Sequence, residues 1–441
     1  MSKFFGTDGI RQKAEDFTPR FLKTVAHGLV EYAHKCGMSE VRVLVGGDTR
    51  ESGEWIIREL EEALETLGVE HGNVGVLPTP AINYVFYEMG FDFAIDVTAS
   101  HNPYTDNGIK IFERGATSGQ KLSEEGREII EKYIEAGEDF ETVAMELGED
   151  LHDEAVERYM EHLVSYLGEA DLTGLMVGMD CADGATSAIG AQVFEKYGAK
   201  VSVIHNDARY GQGINNNCGS THLDSLRELV ASEKLDFGVA FDGDGDRVLM
   251  IDEKGEVVDG DQIIAILCEN LRLPAAAVTV MANQGLFDWA ERQGVKLEVT
   301  AVGDQNVAEA MRANGIKIGG EQSGHVILPG EATGDGMLTA LMVAKVLGGR
   351  KLSELAAVME RLPQVIVNMS AEAAQKVALK ESAAARAILL EYNKLAEAAG
   401  GRMLVRPSGT ENLIRVTMWG RDETEINRLA NDLTNKLKEV L

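Results

Sequence analysis

Residues 18–37, TPRFLKTVAHGLVEYAHKCG, place apolar side chains at 22, 25, 26, 29, 30 and 33. That spacing predicts an amphipathic helix, opened by Thr18 as N-cap with Pro19 in the first turn. The apolar run VRVLV follows at once and reads as a buried strand. The alternation continues with a helix from about Gly53 to Leu67, a strand at Val74–Leu77, a helix near Ala81–Met89 and the strand FDFAIDV. This order specifies an α/β unit with a largely parallel sheet.

The pattern recurs in the strands GLMVGMD, KVSVIH and DFGVAFD, and again in AVTVMA, EVTAV and GIKIGG. After RLPQVIVNMS come an Ala-rich helix stopped by Gly400 and Gly401, the strands RMLVR and LIRVTMW, and an amphipathic helix through Leu437, a smaller α+β unit. The expected domains are 1–152, 153–255, 256–365 and 366–441. Between the first two, Glu124 to Asp150 holds eleven acidic residues and reads as solvated helix and linker. An internal echo joins the units. DFAIDVTASHN and DFGVAFDGDGDR each run from a strand into a polar loop at its carboxyl end, where open α/β sheets place ligands, and GIKIGGEQSGH reads as a third copy.

With 441 residues, 44% of them hydrophobic, the chain is long enough for several cores. No apolar run approaches the roughly 20 residues of a membrane helix, and MSKFFGTDGIRQK meets charges too early for a signal peptide. A cytoplasmic monomer or homodimer without membrane contact is expected. The formal charge of −30, from 72 acidic and 42 basic residues, argues against nucleic acid as a partner and requires any phosphate site to be a local basic cluster. Cys36, Cys181, Cys218 and Cys268 are too widely separated for zinc-ligand or redox spacing, so reduced, partly buried thiols are expected.

Candidate chemistry lies in the loops. AFDGDGDRVLM sets Asp242, Asp244 and Asp246 at alternate positions, with glycines that let a tight loop turn three carboxylates toward one point. Compact hard oxygen ligands suit Mg²⁺. An EF-hand is excluded, because the sixth position is Arg247 rather than glycine and the flanks read as strands. Ser100 in VTASHNPYTDNGIKIF lacks the surroundings of a hydrolase elbow. It is either an ordinary turn serine or a phosphoryl carrier, and a carrier needs a metal and nearby cations. Arg11, His101, Lys110 and Arg247 are the candidates, with Lys110 or His101 able to move protons. GGEQSGH offers Glu321, Ser323 and His325 either for sugar hydroxyls or as a polar turn. RPSGTENLIR combines Arg406, Ser408, Gly409, Thr410 and Arg415, which fit a phosphate or a strand-connecting turn.

TASHNP, DGDGDR, GGEQSGH and RPSGTE together, in this order and over the whole chain, resemble the α-D-phosphohexomutase superfamily. FGTDGIR, CGSTH, Gln322 and TGDG at 333–336 look most like its bacterial-type members that act on glucosamine phosphates. The resemblance implies three related α/β/α domains with mixed, largely parallel sheets and a smaller C-terminal α+β domain around one central cleft. It implies a phosphorylated Ser100, Mg²⁺ held by that phosphate with Asp242, Asp244 and Asp246, sugar contacts from Glu321 and Ser323, and a phosphate clamp at Arg406, Ser408, Gly409 and Thr410. The implied reaction interconverts the 6- and 1-phosphates of glucosamine through a sugar 1,6-bisphosphate, which also serves as activator.

Three positions depart from the usual pattern: Gln12 after Arg11, Gln305 where an arginine is usual, and Asn412 where a proline is usual. They leave open a sister specificity for glucose or mannose phosphates and a non-catalytic sugar-phosphate binder. A simple phosphatase is disfavoured, because hydrolysis needs no clamp that reads both ends of the substrate.

Overall fold

The computed structural model describes residues 3–6, 8–137, 139–142, 148–209, 211–408 and 412–441. Its chain forms two compact units, residues 1–279 with 298–356, and residues 280–297 with 357–441.

The first predicted helix spans Pro19–Lys35, and the Thr18 hydroxyl accepts from Phe21 N at 3.2 Å. Its apolar face, Leu22, Val25, Ala26 and Leu29, is fully buried. The strands Arg42–Gly47, Glu70–Val76 and Phe93–Val97 are parallel neighbours, with helices Gly53–Thr66 and Thr79–Glu88 between them in sequence. Strand Asp106–Arg114 then returns antiparallel to Phe93–Val97, pairing Ile109 with Val97, so the sheet is mixed. In the acidic stretch, Glu124–Ala136 is a helix with a buried face at Gly126, Ile130 and Ile134. The expected helix is present, but it is not solvated all round, because the acidic count hid apolar residues at helical spacing.

The second sheet orders its strands as Lys200–Ile204, Met176–Asp180, Phe237–Phe241, Val248–Asp252 and Val257–Val258, again mixed. In the third, Ala275–Thr279, Gly319–Gly320 and Val326–Ile327 are successive neighbours. The sequence echo is a structural one. Phe93–Val97, Phe237–Phe241 and Gly319–Gly320 each lead through a polar loop into an antiparallel partner strand. Strands on both sides of the aspartate loop are also what excludes an EF-hand.

In the second unit, Gln364–Ser370, Leu413–Trp419 and Arg402–Pro407 form an antiparallel sheet packed by helices Ala383–Ala398 and Glu423–Val440. Val416, Met418, Leu433 and Leu437 are fully buried in its core. Helix Gln284–Gln293 belongs to this unit: Asn283 Oδ1 accepts from Leu362 N at 3.0 Å, and its Nδ2 donates to Leu362 O at 2.9 Å.

Candidate active site

The three equivalent loops of the first unit meet. Ser100 Oγ donates to Asp242 Oδ2 at 2.8 Å, and Val248 N, just after the aspartate loop, donates to Gly324 O at 3.1 Å in the EQSGH loop. Both Ser100 and Asp242 are fully buried.

Ser100 is held in the left-handed region, φ 53°, a cost of order 1 kcal/mol or more that surrounding bonds must offset. Arg50 supplies much of that support. Its Nε donates to Asp48 Oδ2 at 2.9 Å, Nη2 to Ser100 O and Asn102 O at 2.9 Å each, and Nη1 to Pro103 O at 2.6 Å and Asp106 O at 2.9 Å. All five guanidinium protons are used. Asn215 Nδ2 adds a second donor to Ser100 O at 2.8 Å, and Thr98 Oγ1 accepts from Ser100 N at 2.9 Å. Arg50, Asp48 and Asn215 were not predicted as site residues. The polar run GGDTR directly after the strand VRVLV was the available signal.

The aspartate loop is anchored through its backbone. Thr79 N donates to Asp244 O at 2.9 Å, Ala185 N to Gly243 O at 2.8 Å and Gly336 N to Gly245 O at 3.0 Å. A Cβ on Gly243 would lie 2.7 Å from both Ser100 O and Asn215 Nδ2, so only glycine permits this approach.

Asp242, Asp244 and Asp246 each present an oxygen within 4.8 Å of the others, and all three are buried. Asp244 Oδ1 and Asp246 Oδ1 are buried without a hydrogen-bond partner, an arrangement that a divalent cation would satisfy. Burial, followed by Asp244 and Asp246, pushes the Asp242 carboxyl well above the usual carboxylate range. Burial also works against an ionised Asp246, but Lys110, His325 and Arg247 outweigh it and hold this group at about 2. The triad thus has the hard, crowded oxygen chemistry that suits Mg²⁺.

Lys110 Nζ lies 2.7 Å from Asp244 Oδ2, 3.0 Å from Asp246 Oδ2 and 3.1 Å from Asp8 Oδ2. Its burial disfavours the ammonium, but Asp244, Asp246, Asp8 and Asp96 keep its pKa well above the ordinary lysine value. Arg11 Nη2 donates to Asp8 Oδ2 at 2.6 Å. Arg247 Nε stands 3.9 Å from Asp242 Oδ2 and 3.8 Å from Asp246 Oδ1. His101 Nδ1 is 3.2 Å from Ser100 Oγ, and burial, then Arg247 and Arg11, lower this imidazole to about 4. Lys110 and Arg247 therefore lie beside the carboxylates and the neutral His101 beside Ser100, with Arg11 joined through Asp8.

Thr79 Oγ1 is 2.6 Å from Asp96 Oδ2 and 2.7 Å from Asp244 Oδ2. A hydroxyl has one proton, so one carboxyl must donate to it. Burial raises the Asp96 carboxyl well above the ordinary range, against the pull of Lys110 and with Asp244 adding to the rise, which favours the shared proton on Asp96.

Glu321 Oε1 accepts from Gly303 N at 3.2 Å, and Ser323 is exposed. His325 behaves differently from its predicted neighbours. The chain reverses at Gly324, φ +96°, and the buried His325 ring places Nε2 3.3 Å from Gly334 N and 3.9 Å from Asp246 Oδ2. Alternation fails here because the turn ends the extended run, so His325 backs the aspartate loop instead of sharing the exposed setting of Ser323.

In the second unit, Arg406 and Arg415 are direct cross-strand partners, a like-charge pairing suited to an anion. Lys376 Nζ donates to Ser408 O at 2.9 Å. Gly409 and Thr410, predicted for the same site, lie outside the described residues.

Comparison with known proteins matches this architecture in sequence order. The family descriptions phosphoglucomutase/phosphomannomutase alpha/beta/alpha domain I, domain II and domain III match residues 2–141, 157–255 and 259–362, and the C-terminal domain of the same family matches 365–436. Phosphoglucosamine mutase of Caldicellulosiruptor saccharolyticus is 42% identical over 100% of both chains. The crystal structure of a phosphoglucomutase/phosphomannomutase family protein from Burkholderia thailandensis superposes with a TM-score of 0.79 at 20% identity, covering 100% of this chain and 98% of that one. N-acetylphosphoglucosamine mutase of Aspergillus fumigatus, in complex with GlcNAc-6P and magnesium, gives a TM-score of 0.67 at 18% identity, covering 99% of this chain and 96% of that one. Matched in all four parts and along its full length, the chain belongs to the phosphoglucomutase/phosphomannomutase family of α-D-phosphohexomutases.

Proposed function

We propose that this protein interconverts glucosamine 6-phosphate and glucosamine 1-phosphate by carrying a phosphoryl group on Ser100, acting in the cytoplasm as a monomer or homodimer. The observation that carries the reading is the Ser100 hydroxyl, buried 2.8 Å from the first of three converging carboxylates. The full-length likeness to a phosphoglucosamine mutase supports the choice of sugar.

In the first half-reaction the bond between phosphorus and Ser100 Oγ breaks and a bond from phosphorus to the sugar O1 forms. The proton of the O1 hydroxyl passes to a base, and the product is the 1,6-bisphosphate. In the second half the 6-phosphoryl group returns to Ser100, the sugar O6 takes up a proton, and the 1-phosphate is released. Asp242, Asp244 and Asp246, with an oxygen of the serine phosphate, would hold Mg²⁺, whose chemistry is to neutralise the phosphoryl oxygens. Lys110, Arg11 and Arg247 supply positive charge around Ser100, and the neutral imidazole of His101 accepts the proton. Glu321 and Ser323 orient sugar hydroxyls. Arg406, Ser408 and Arg415 grip the phosphate that is not transferred.

The test is a rate comparison on the 6-phosphates of glucosamine, glucose and mannose with a trace of bisphosphate, paired with intact-mass analysis. Preference for the amino sugar is expected, with one added phosphate that is lost in Ser100→Ala. Equal rates on all three sugars would overturn the assigned substrate, and a phosphate retained in Ser100→Ala would overturn the carrier.

A further inference from the structure

We propose that Asp180, His205 and Cys218 form a second metal site, of the zinc class, distinct from the triple-aspartate loop. The three side chains come from three separate segments, yet each offers a ligand atom within 4.8 Å of the others. Asp180 ends strand Met176–Asp180, and His205 directly follows the neighbouring parallel strand Lys200–Ile204, whose last residue is in register with Asp180. Both groups thus stand at carboxyl ends of adjacent strands, the edge of an α/β sheet that binds ligands. Cys218 is brought to them by the connection from His205 to the short helix Gly219–Thr221.

The donor set is sulfur, nitrogen and oxygen, which suits a borderline-soft cation and differs from the all-oxygen Asp242 set. Ligand atoms of a tetrahedral zinc site lie about 3.5 Å apart. His205 Nδ1 and Asp180 Oδ2 are hydrogen-bonded at 3.0 Å, so a cation between them and the Cys218 sulfur would replace the proton they share. Asp180 Oδ1 accepts from Ala182 N at 2.9 Å, which orients the carboxylate with Oδ2 toward His205. Asp180 and Cys218 are fully buried, whereas the His205 side chain is 31% exposed, which gives a route for entry and room for a water as fourth ligand. Burial, then Asp180 and Asp183, push the Cys218 thiol up to about 12, so binding must displace its proton.

The site also touches the wiring of Ser100. Asn215 N donates to Ala182 O at 3.0 Å, and its side chain donates to Ser100 O. A cation joining Asp180 to Cys218 would therefore brace the two segments from which Asn215 reaches the serine loop.

Co²⁺ titrated into the full-length protein in a Cys36→Ser background, with Mg²⁺ in excess to fill the oxygen triad, tests the proposal. One equivalent should produce a thiolate-to-cobalt charge-transfer band in the near ultraviolet. Cys218→Ser should abolish the band, His205→Ala should weaken Co²⁺ binding by more than about tenfold, and Asp242→Asn should leave the band in place. No band at one equivalent, a band that survives Cys218→Ser, or unchanged affinity in His205→Ala would each overturn it. His205→Ala keeps the test decisive if the buried cysteine cannot be replaced without unfolding, because His205 is partly exposed. A simple hydrogen-bonded Asp180–His205 staple predicts no band in any variant.

Discussion

Arg50 and Ser100 are joined by a hydrogen bond from Nη2 to the Ser100 carbonyl at 2.9 Å, and the same guanidinium binds three further carbonyls of the serine loop. A lysine has three donors and no planar fork, so it cannot reproduce this set. Arg50→Lys should lower kcat by about 10²-fold with little change in KM, because the serine is misplaced while the sugar-binding loop is intact. Arg50→Ala should also destabilise the fold by about 3–5 kcal/mol, since the buried Asp48 loses its guanidinium partner and keeps only the Thr98 hydroxyl and one backbone N–H. Steady-state kinetics with denaturant unfolding separates the two effects; a lysine variant with native kcat would refute the positioning role.

Asp96 Oδ2 lies 2.6 Å from Thr79 Oγ1, and burial favours the protonated carboxyl there. Asp96→Asn supplies an uncharged side chain of the same shape that can donate to Thr79. Activity within about threefold of the parent and unchanged or raised thermal stability at pH 7 are expected. A loss of about a hundredfold or more would mean that Asp96 works as an anion.

Asp335 gives a pH signature away from the serine. Its Oδ2 accepts from Tyr159 Oη at 2.9 Å and its Oδ1 from Leu338 N at 2.8 Å, and burial raises the group to about 7. The folded state therefore holds the proton more tightly than the unfolded chain, so this group's contribution to stability is full below pH 4 and is lost as pH rises to about 7. Asp335→Asn keeps a capping side chain and cannot titrate. Melting temperatures of parent and variant from pH 4.5 to 8 should show the parent losing ground to the variant as pH rises; parallel curves would contradict the raised value.

Arg406 should act through charge. Arg406→Ala is expected to raise KM more than it lowers kcat, and to flatten the dependence of log KM on log salt relative to the parent. KM measured at several ionic strengths checks both, and an unchanged KM would remove Arg406 from the phosphate site.

Ser100, the three aspartates, Lys110, Arg11 and Arg247 were legible because each sits in a short motif whose residue types already imply charge or transfer chemistry. Asp8, Asp48, Arg50, Thr79, Asp96 and Asn215 were not, since their meaning depends on partners far away in sequence. Thr79 looks like the start of a helix until the structure sets it against Asp244. Helix and strand order was legible from periodicity, but the antiparallel return of Asp106–Arg114 was not, because an apolar strand reads alike in either direction. His325 is set apart from the exposed Ser323 by one glycine, whose positive φ cannot be read from spacing.

The aspartate loop has three successive carbonyls answered by Ala185, Thr79 and Gly336. It is thus a keystone laid by three arches, and no single arch can close it. During synthesis its last backbone bond must wait until Gly336 has emerged, long after every strand of the first two sheets has been made. Fragments ending before that residue should keep their sheets and lack a finished cradle.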